Sequence, residues 1–174
     1  MRRIRYHVVM SLDGYIAGSN GEADWIPMDP DVDFDAIFRQ FDTALIARKT
    51  FDAMVRARNT SLPGMKIFVF STTLQPGDYP GIEIVSEGQA ETVASLRSQP
   101  GKDIWLFGGG GLFQSLLNAG LVDTVEVAIV PVLLGGGIPL LPVPAKQTRL
   151  KLASHKLDKT GILSLEYAIE PSPA

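Results

Sequence analysis

The chain has 174 residues and not one cysteine. Disulfides, thiolate metal ligands and thiol nucleophiles are therefore excluded. Histidine is nearly as scarce. His7 and His155 stand near opposite ends, and a zinc site needs more nitrogen or sulfur ligands than that. No metal is expected. No apolar run approaches the roughly 20 residues that cross a bilayer. The basic start, Arg2-Arg3-Ile4-Arg5, runs straight into a strand-like segment. It lacks the longer apolar stretch and small-residue cleavage site of a signal peptide. With a net charge of −3 there is no excess of either sign to suggest a nucleic-acid or membrane surface. These absences leave a cytoplasmic protein as the expectation. An apolar share of 45% on this length suits one domain with a substantial core and is short for two. There is no internal repeat, low-complexity stretch or long linker. A single domain over residues 1–170 is expected, with a frayed tail at 171–174.

The chain is organised around Leu106-Phe107-Gly108-Gly109-Gly110-Gly111-Leu112. An apolar run, Asp103-Ile104-Trp105-Leu106-Phe107, precedes it. Residues 112, 113, 116 and 117 then repeat at helical spacing, and Gly120 stands where a helix stops. The stretch reads strand, glycine turn, helix. Glycines there admit φ values that other residues avoid. They also leave bare N–H groups at a helix N-terminus, where the dipole favours an anion such as a pyrophosphate. The alternative is a tight turn with no ligand, since a glycine-only match is weak.

Strands are expected at 4–10, 43–47, 66–70, 82–85, 103–107, 123–130, 150–157 and 162–169. Helices are expected from about 29–34 onward, at 48–55, at 87–98 and after residue 111. The first helix would use Phe34, Ile37, Phe38 and Phe41 as its apolar face. Small polar residues at 19–24 read as a mobile loop ending at Trp25, which would plug a site or simply join the core. Residues 131–142 read as an apolar loop rich in glycine and proline, and Asp158-Lys159-Thr160-Gly161 as a hairpin turn. Strands alternate with helices for two-thirds of the chain and then stand alone. This predicts an α/β fold: a mainly parallel, mixed sheet between two helix layers, with a C-terminal antiparallel hairpin.

Three junctions follow strand carboxyl ends, which line one edge of a parallel sheet. Arg48, Lys49 and Thr50 open a helix. Ser71 and Thr72 end a strand, and Gly108, Gly109, Gly110 and Gly111 precede Leu112. A dinucleotide across that edge would set its pyrophosphate between two helix starts, and a 2′-phosphate would favour Arg48. Each junction alone also reads as an ordinary helix start, cap or turn. An ordinary Rossmann domain carries its glycines at the first strand–helix turn. Here they come late, so that fold is not expected.

With these segments in order, the chain resembles the dihydrofolate-reductase-like superfamily, most closely the reductase domain of the riboflavin-biosynthesis deaminase/reductase. The carriers are Ser11-Leu12-Asp13-Gly14-Tyr15-Ile16-Ala17, Arg48-Lys49-Thr50-Phe51, Val69-Phe70-Ser71-Thr72, the glycine run and Pro131-Val132-Leu133-Leu134-Gly135-Gly136-Gly137-Ile138-Pro139. The deaminase half has no counterpart. The resemblance implies the three-layer α/β/α fold and an NADPH-dependent reductase of a pyrimidine, pterin-like or ribosylamino-pyrimidine substrate. It implies that Ile16 and Ala17 line the nicotinamide pocket and that the residues at 48–50 and 108–112 hold phosphates. Ser71 and Thr72 would lie by the 2′-phosphate, and loop 19–25 would close over the reaction centre. Asp13, Trp25 and Asp33 are the catalytic candidates. Asp13 alternatively makes only an Asp-Gly turn; Asp31 and Asp33 stand near the place where the resemblance implies a carboxylate that anchors the pterin in dihydrofolate reductases, or supply only helix N-terminal charge. One departure is Ala47, where the family often has glycine. The competing readings are a non-catalytic NADP(H)-binding module and a dihydrofolate reductase proper. The apolar loop 131–142 suggests a homodimer.

Overall fold

The computed structural model describes residues 1–27 and 32–170. Its elements in order are β1 (Ile4–Ser11), β2 (Tyr15–Ala17), α1 (Phe34–Phe38), β3 (Phe41–Ala47), α2 (Arg48–Arg56), β4 (Lys66–Phe70), β5 (Ile82–Val85), α3 (Gln89–Ser98), β6 (Asp103–Gly108), α4 (Gly110–Asn118), β7 (Thr124–Val130), β8 (Ile138–Pro139), β9 (Leu150–Leu157) and β10 (Leu163–Ile169). Eight strands form one sheet in the order β5-β4-β3-β6-β1-β7-β10-β9. The first six are parallel, and β10 and β9 close the sheet antiparallel.

Side chains alternate across a strand, so neighbouring residues enter different cores. Tyr6, Leu45, Phe68, Leu106 and Val125 face α3 and α4, meeting Val93, Leu96, Leu112, Phe113 and Leu116. Ala44, Ile46, Ile67 and Val69 face the other way, onto Phe51, Met54 and Val55 of α2. Helices thus cover both faces, and the near-continuous apolar runs of the central strands follow from burial on both sides.

Three sequence expectations are corrected. Phe41 does not extend the apolar face of α1; it opens β3, where its ring stacks on Trp105 at 5.2 Å. The described part of α1 spans only Phe34–Phe38, with Asp33 as its N-cap. The apolar segment 131–142 is not loop throughout, because β8 within it pairs with β2 in a separate two-stranded sheet. Asp31, the start of the acidic segment and the tail at 171–174 fall outside the described residues. Among the described residues no helix is long and apolar enough to cross a membrane.

Candidate functional site

Parallel strands that neighbour one another end on the same edge of the sheet, whichever face their following helices pack on. Strands β3 and β6 are such neighbours, with Ile46 opposite Gly108. The starts of α2 and α4 therefore meet. Ala47 caps α2 and Gly109 caps α4; neither makes a side-chain cap bond, and neither helix carries an acidic residue in its first turn. The first N–H groups of a helix have no intrahelical acceptor. Those of both helices are left for an outside partner.

The junction is as tight as it can be. A Cβ on Gly109 would sit 2.8 Å from the Ala47 Cβ and 3.5 Å from Thr50 Oγ1, and Gly109 has φ +68°. Only a residue without a side chain fits beside the Ala47 methyl. A Cβ on Gly110 would approach the Pro139 carbonyl oxygen and Pro142 Cδ to 3.0 Å, so the segment around β8 roofs the start of α4.

Arg48 points from α2 toward the loop after β4. Its Nε donates to Asp52 Oδ1 at 2.7 Å and Nη1 to Thr73 Oγ1 at 2.7 Å. Ser71 is buried, and its Oγ accepts from the N–H groups of Thr73 and Leu74. It shapes that turn, while Thr72 is exposed. Thr73, the third hydroxyl of the run, is the one that meets Arg48.

A cleft of about 1070 Å³ runs from this junction across the sheet face of β6, β1 and β7 to β10 and β9. Ile16 and Ala17 of β2 form one wall, and Phe34 and Ile37 of α1 contribute another. Gly21, Ala23, Ile26 and Pro27 bring in the loop before α1. Arg48, Lys49, Thr50, Gly108, Gly109, Gly110, Gly111 and Leu112 all line it, whereas Ser71 and Thr72 do not.

None of the three catalytic candidates lines the cleft. The Asp13 carboxylate accepts from Ser11 Oγ at 2.6 Å and from the N–H groups of Leu134 and Gly135 at 3.1 and 2.7 Å. These bonds, the Ser11 hydroxyl foremost, hold its carboxyl below the usual carboxylate range. Asp13 thereby ties the turn after β1 to the apolar segment. The Trp25 Nε1–H donates to the Glu22 carbonyl, and Ala23, Ile26 and Pro27 face the cleft instead. Asp33 accepts from the Ala36 N–H at 2.8 Å and caps α1.

The cleft floor holds side chains that the motif reading passed over. Arg5 and His7 share a face of β1, and register places His7 opposite Glu126 and Glu126 opposite Glu166. Arg5 Nε and Nη2 each donate to one Glu126 oxygen at 2.7 Å, and Thr124 Oγ1 adds a third bond at 2.8 Å. His7 Nδ1 is buried and makes no hydrogen bond among the described residues; Glu126 Oε2 lies 3.3 Å away, close enough for an ion pair. Burial pushes the Glu126 carboxyl up, but contacts with His7, Arg5 and Thr124 and the Arg5 charge outweigh it, leaving it at about 2. The available signal was charge inside strands that otherwise read as buried: Arg5 and His7 in one, Glu126 in the other.

Three comparisons bear on this geometry. The chain is 36% identical to the protein YyaP of Bacillus subtilis (strain 168), over 95% of this chain and 94% of that protein. It is 29% identical to riboflavin biosynthesis protein RibD of Corynebacterium ammoniagenes, over 86% of this chain and half of that protein. Among solved structures, a Shewanella sp. PV-4 protein assigned by name to riboflavin biosynthesis superposes with TM-score 0.82 at 27% identity, covering 98% of this chain and all of that one. Dihydrofolate reductase of Enterococcus faecalis, solved with NADP(H), superposes with TM-score 0.65 at 16% identity over 96% and 94% of the chains, which establishes the shared α/β fold. The model of the RibD C-terminal domain matches residues 2–164, and the chain belongs to that family.

Proposed function

We propose that the protein is an NADPH-dependent reductase acting on a small pyrimidine, pterin-like or ribosylamino-pyrimidine substrate, as a phosphoribosylaminouracil reductase does. The observation that carries this reading is the meeting of two uncapped helix N-termini at Ala47 and Gly109. A diphosphate is the ligand chemistry such a pair suits. The donor set fits the coenzyme: backbone N–H groups of Gly109, Gly110, Gly111 and Leu112 on one side, and those of Arg48, Lys49 and Thr50 on the other. Arg48, with Thr73 bonded to it and Ser71 and Thr72 preceding in the same turn, would receive a 2′-phosphate. Ile16 and Ala17 would hold the nicotinamide against the cleft floor.

When bound, NADPH supplies a hydride from its nicotinamide ring. The chain's share is orientation and exclusion of water, to which the apolar side chains of Trp105, Phe107 and Ile16 contribute. The cleft extends well past the phosphate junction, which supports catalysis over a bare binding module. The test is purified protein with NADPH and a panel of pyrimidine and pterin substrates, followed at the nicotinamide absorbance. Cofactor binding with no oxidation by any of them would sink the enzyme reading.

Replacing Arg48 with glutamine is expected to raise the Kd for NADP⁺ about tenfold, the loss of roughly one charge-assisted contact. Affinity for NAD⁺, which lacks the 2′-phosphate, should change little. Equal losses for both coenzymes in a calorimetric titration would place Arg48 elsewhere.

A homodimer is part of the proposal. Leu133 and Val143 around β8, and Leu150, Leu152 and Leu157 on the edge strand β9, are exposed apolar side chains. Light scattering should give twice the 18.8 kDa chain mass. A mass of one chain would remove the dimer.

A further inference from the structure

The catalytic candidates read from sequence stand outside the cleft, which leaves the proton of the reduction to water or to another side chain. Adding hydride to the carbon of a C=N or C=O bond puts the electron pair on nitrogen or oxygen, and that atom then takes a proton. Among the described residues, the titratable side chains lining the cleft are His7, Arg48, Lys49, Glu126, His155, Lys156, Asp158 and Glu166. Arg48 and Lys49 belong to the phosphate junction. Glu126 is buried and takes contacts on both oxygens. Glu166 accepts from Ser154 Oγ at 3.1 Å. His155 and Lys156 lie on β9, which is exposed along its whole length, and Asp158 follows at the hairpin. His7 alone sits on the central floor with part of its ring open.

The ring is also oriented. Its Nδ1 is buried against Glu126 Oε2, so Nε2 is the nitrogen left for the cleft. The contact falls outside hydrogen-bond geometry, but an ionised carboxylate 3.3 Å away can only accept, which favours the Nδ1-protonated form of the neutral ring. Trp105 packs against the ring at 5.8 Å between centroids, and its Nε1–H donates to the His7 carbonyl at 2.9 Å. The charged groups around the ring are Arg5 on its own strand, with Asp103 of β6 behind it, Glu126 on β7, Glu166 on β10 and Lys156 on β9. The facing residues of α1, Phe34 and Ile37, carry no charge.

We propose that His7 is the proton donor of the reduction and that Glu126 is its positioning residue. This rests on the reductase reading above. The coenzyme's hydride goes to the substrate carbon, and the Nε2–H proton of doubly protonated His7 goes to the adjoining nitrogen or oxygen. The C=N or C=O double bond becomes single, NADPH becomes NADP⁺, and His7 is left neutral with its proton on Nδ1, facing Glu126. Solvent restores the Nε2 proton. This assigns the floor to a flat substrate whose reducible bond ends in a basic atom.

Two experiments test it. In the first, NADPH oxidation is followed across pH with the panel substrate turned over fastest by the native protein. His7→Gln should lower kcat about a hundredfold and abolish the fall in rate toward high pH, with NADP⁺ affinity unchanged. In the second, nitrogen NMR of histidine-labelled protein without ligands should find the neutral His7 ring protonated on Nδ1. Glu126→Gln should move that proton to Nε2 in part of the population. An unchanged rate and pH profile in His7→Gln, or an Nε2-protonated ring in the native protein, overturns the proposal while leaving the reductase reading intact. Native protein that binds no NADP⁺ overturns both.

Discussion

Replacing Arg5 with methionine is expected to cost about 3–5 kcal/mol of folding stability, the penalty for leaving a buried carboxylate without its partner. Arg5 is 8% exposed and Glu126 7%, so water cannot take over the lost contacts. Methionine keeps the bulk that packs over Phe41, whose ring centre lies 4.7 Å from the guanidinium carbon. The loss would therefore report the charge rather than a cavity. Denaturant unfolding measures it, and a second replacement, Glu126→Gln, should return much of the loss, because the uncompensated charge is then gone. A loss below 1 kcal/mol would mean that the pair is a surface contact in practice. The same pair sets an acid limit. Glu126 ionises at about 2 in the fold, below the ordinary 4.5. Its stabilisation is thus complete above about pH 4.5 and is lost as pH falls from there toward 2. Between those values the native protein should lose stability faster than the double variant.

The pair also marks where sequence reasoning stops. The order of strands and helices was legible because the central strands are rich in apolar and β-branched residues and most of the helices that follow repeat apolar residues at helical spacing. Gly108, Gly109, Gly110 and Gly111 stood out as a junction since strand, turn and helix signals are all local. Phe41 did not, because helical spacing from Phe34, Ile37 and Phe38 continues through it, and only its stacking on Trp105 draws it into β3. The pairing of β2 with β8 was hidden for a related reason: Ala17 and Ile138 are far apart in the chain, and each segment is too short to carry a period. The cleft floor was hidden most deeply. Arg5, His7 and Glu126 meet across a parallel pairing whose register, His7 opposite Glu126, no local pattern encodes. Asp13 and Asp33 attracted attention as carboxylates in suggestive places, yet their oxygens are engaged by nearby N–H groups and, for Asp13, a hydroxyl. Asp33 satisfies a donor of its own helix start, as a carboxylate there does first, whereas the N–H donors to Asp13 come from Leu134 and Gly135, distant in the chain.

Gly109→Ala should reduce NADP⁺ affinity at least tenfold. The backbone at Gly109 has φ +68° and ψ 137°, outside the left-handed helical region, which costs an alanine on the order of 1–3 kcal/mol even in open space. Space is not open: the added methyl would lie 2.8 Å from the Ala47 Cβ, closer than two carbons approach, so the two helix starts must separate. Their separation moves the amides of α2 away from those of α4, and a ligand held by both loses one set. The two costs can be told apart with Ala47. In Ala47→Gly/Gly109→Ala the methyl groups no longer meet, but the φ strain remains. Stability of the double variant should stay about 1–3 kcal/mol below that of Ala47→Gly, while most of the cofactor affinity returns. Calorimetric titration of NADP⁺ against the four proteins decides it. Recovery of affinity on removing the Ala47 methyl ties binding to the closeness of the two helix starts. Equal affinity in all four would mean that the coenzyme does not sit between them.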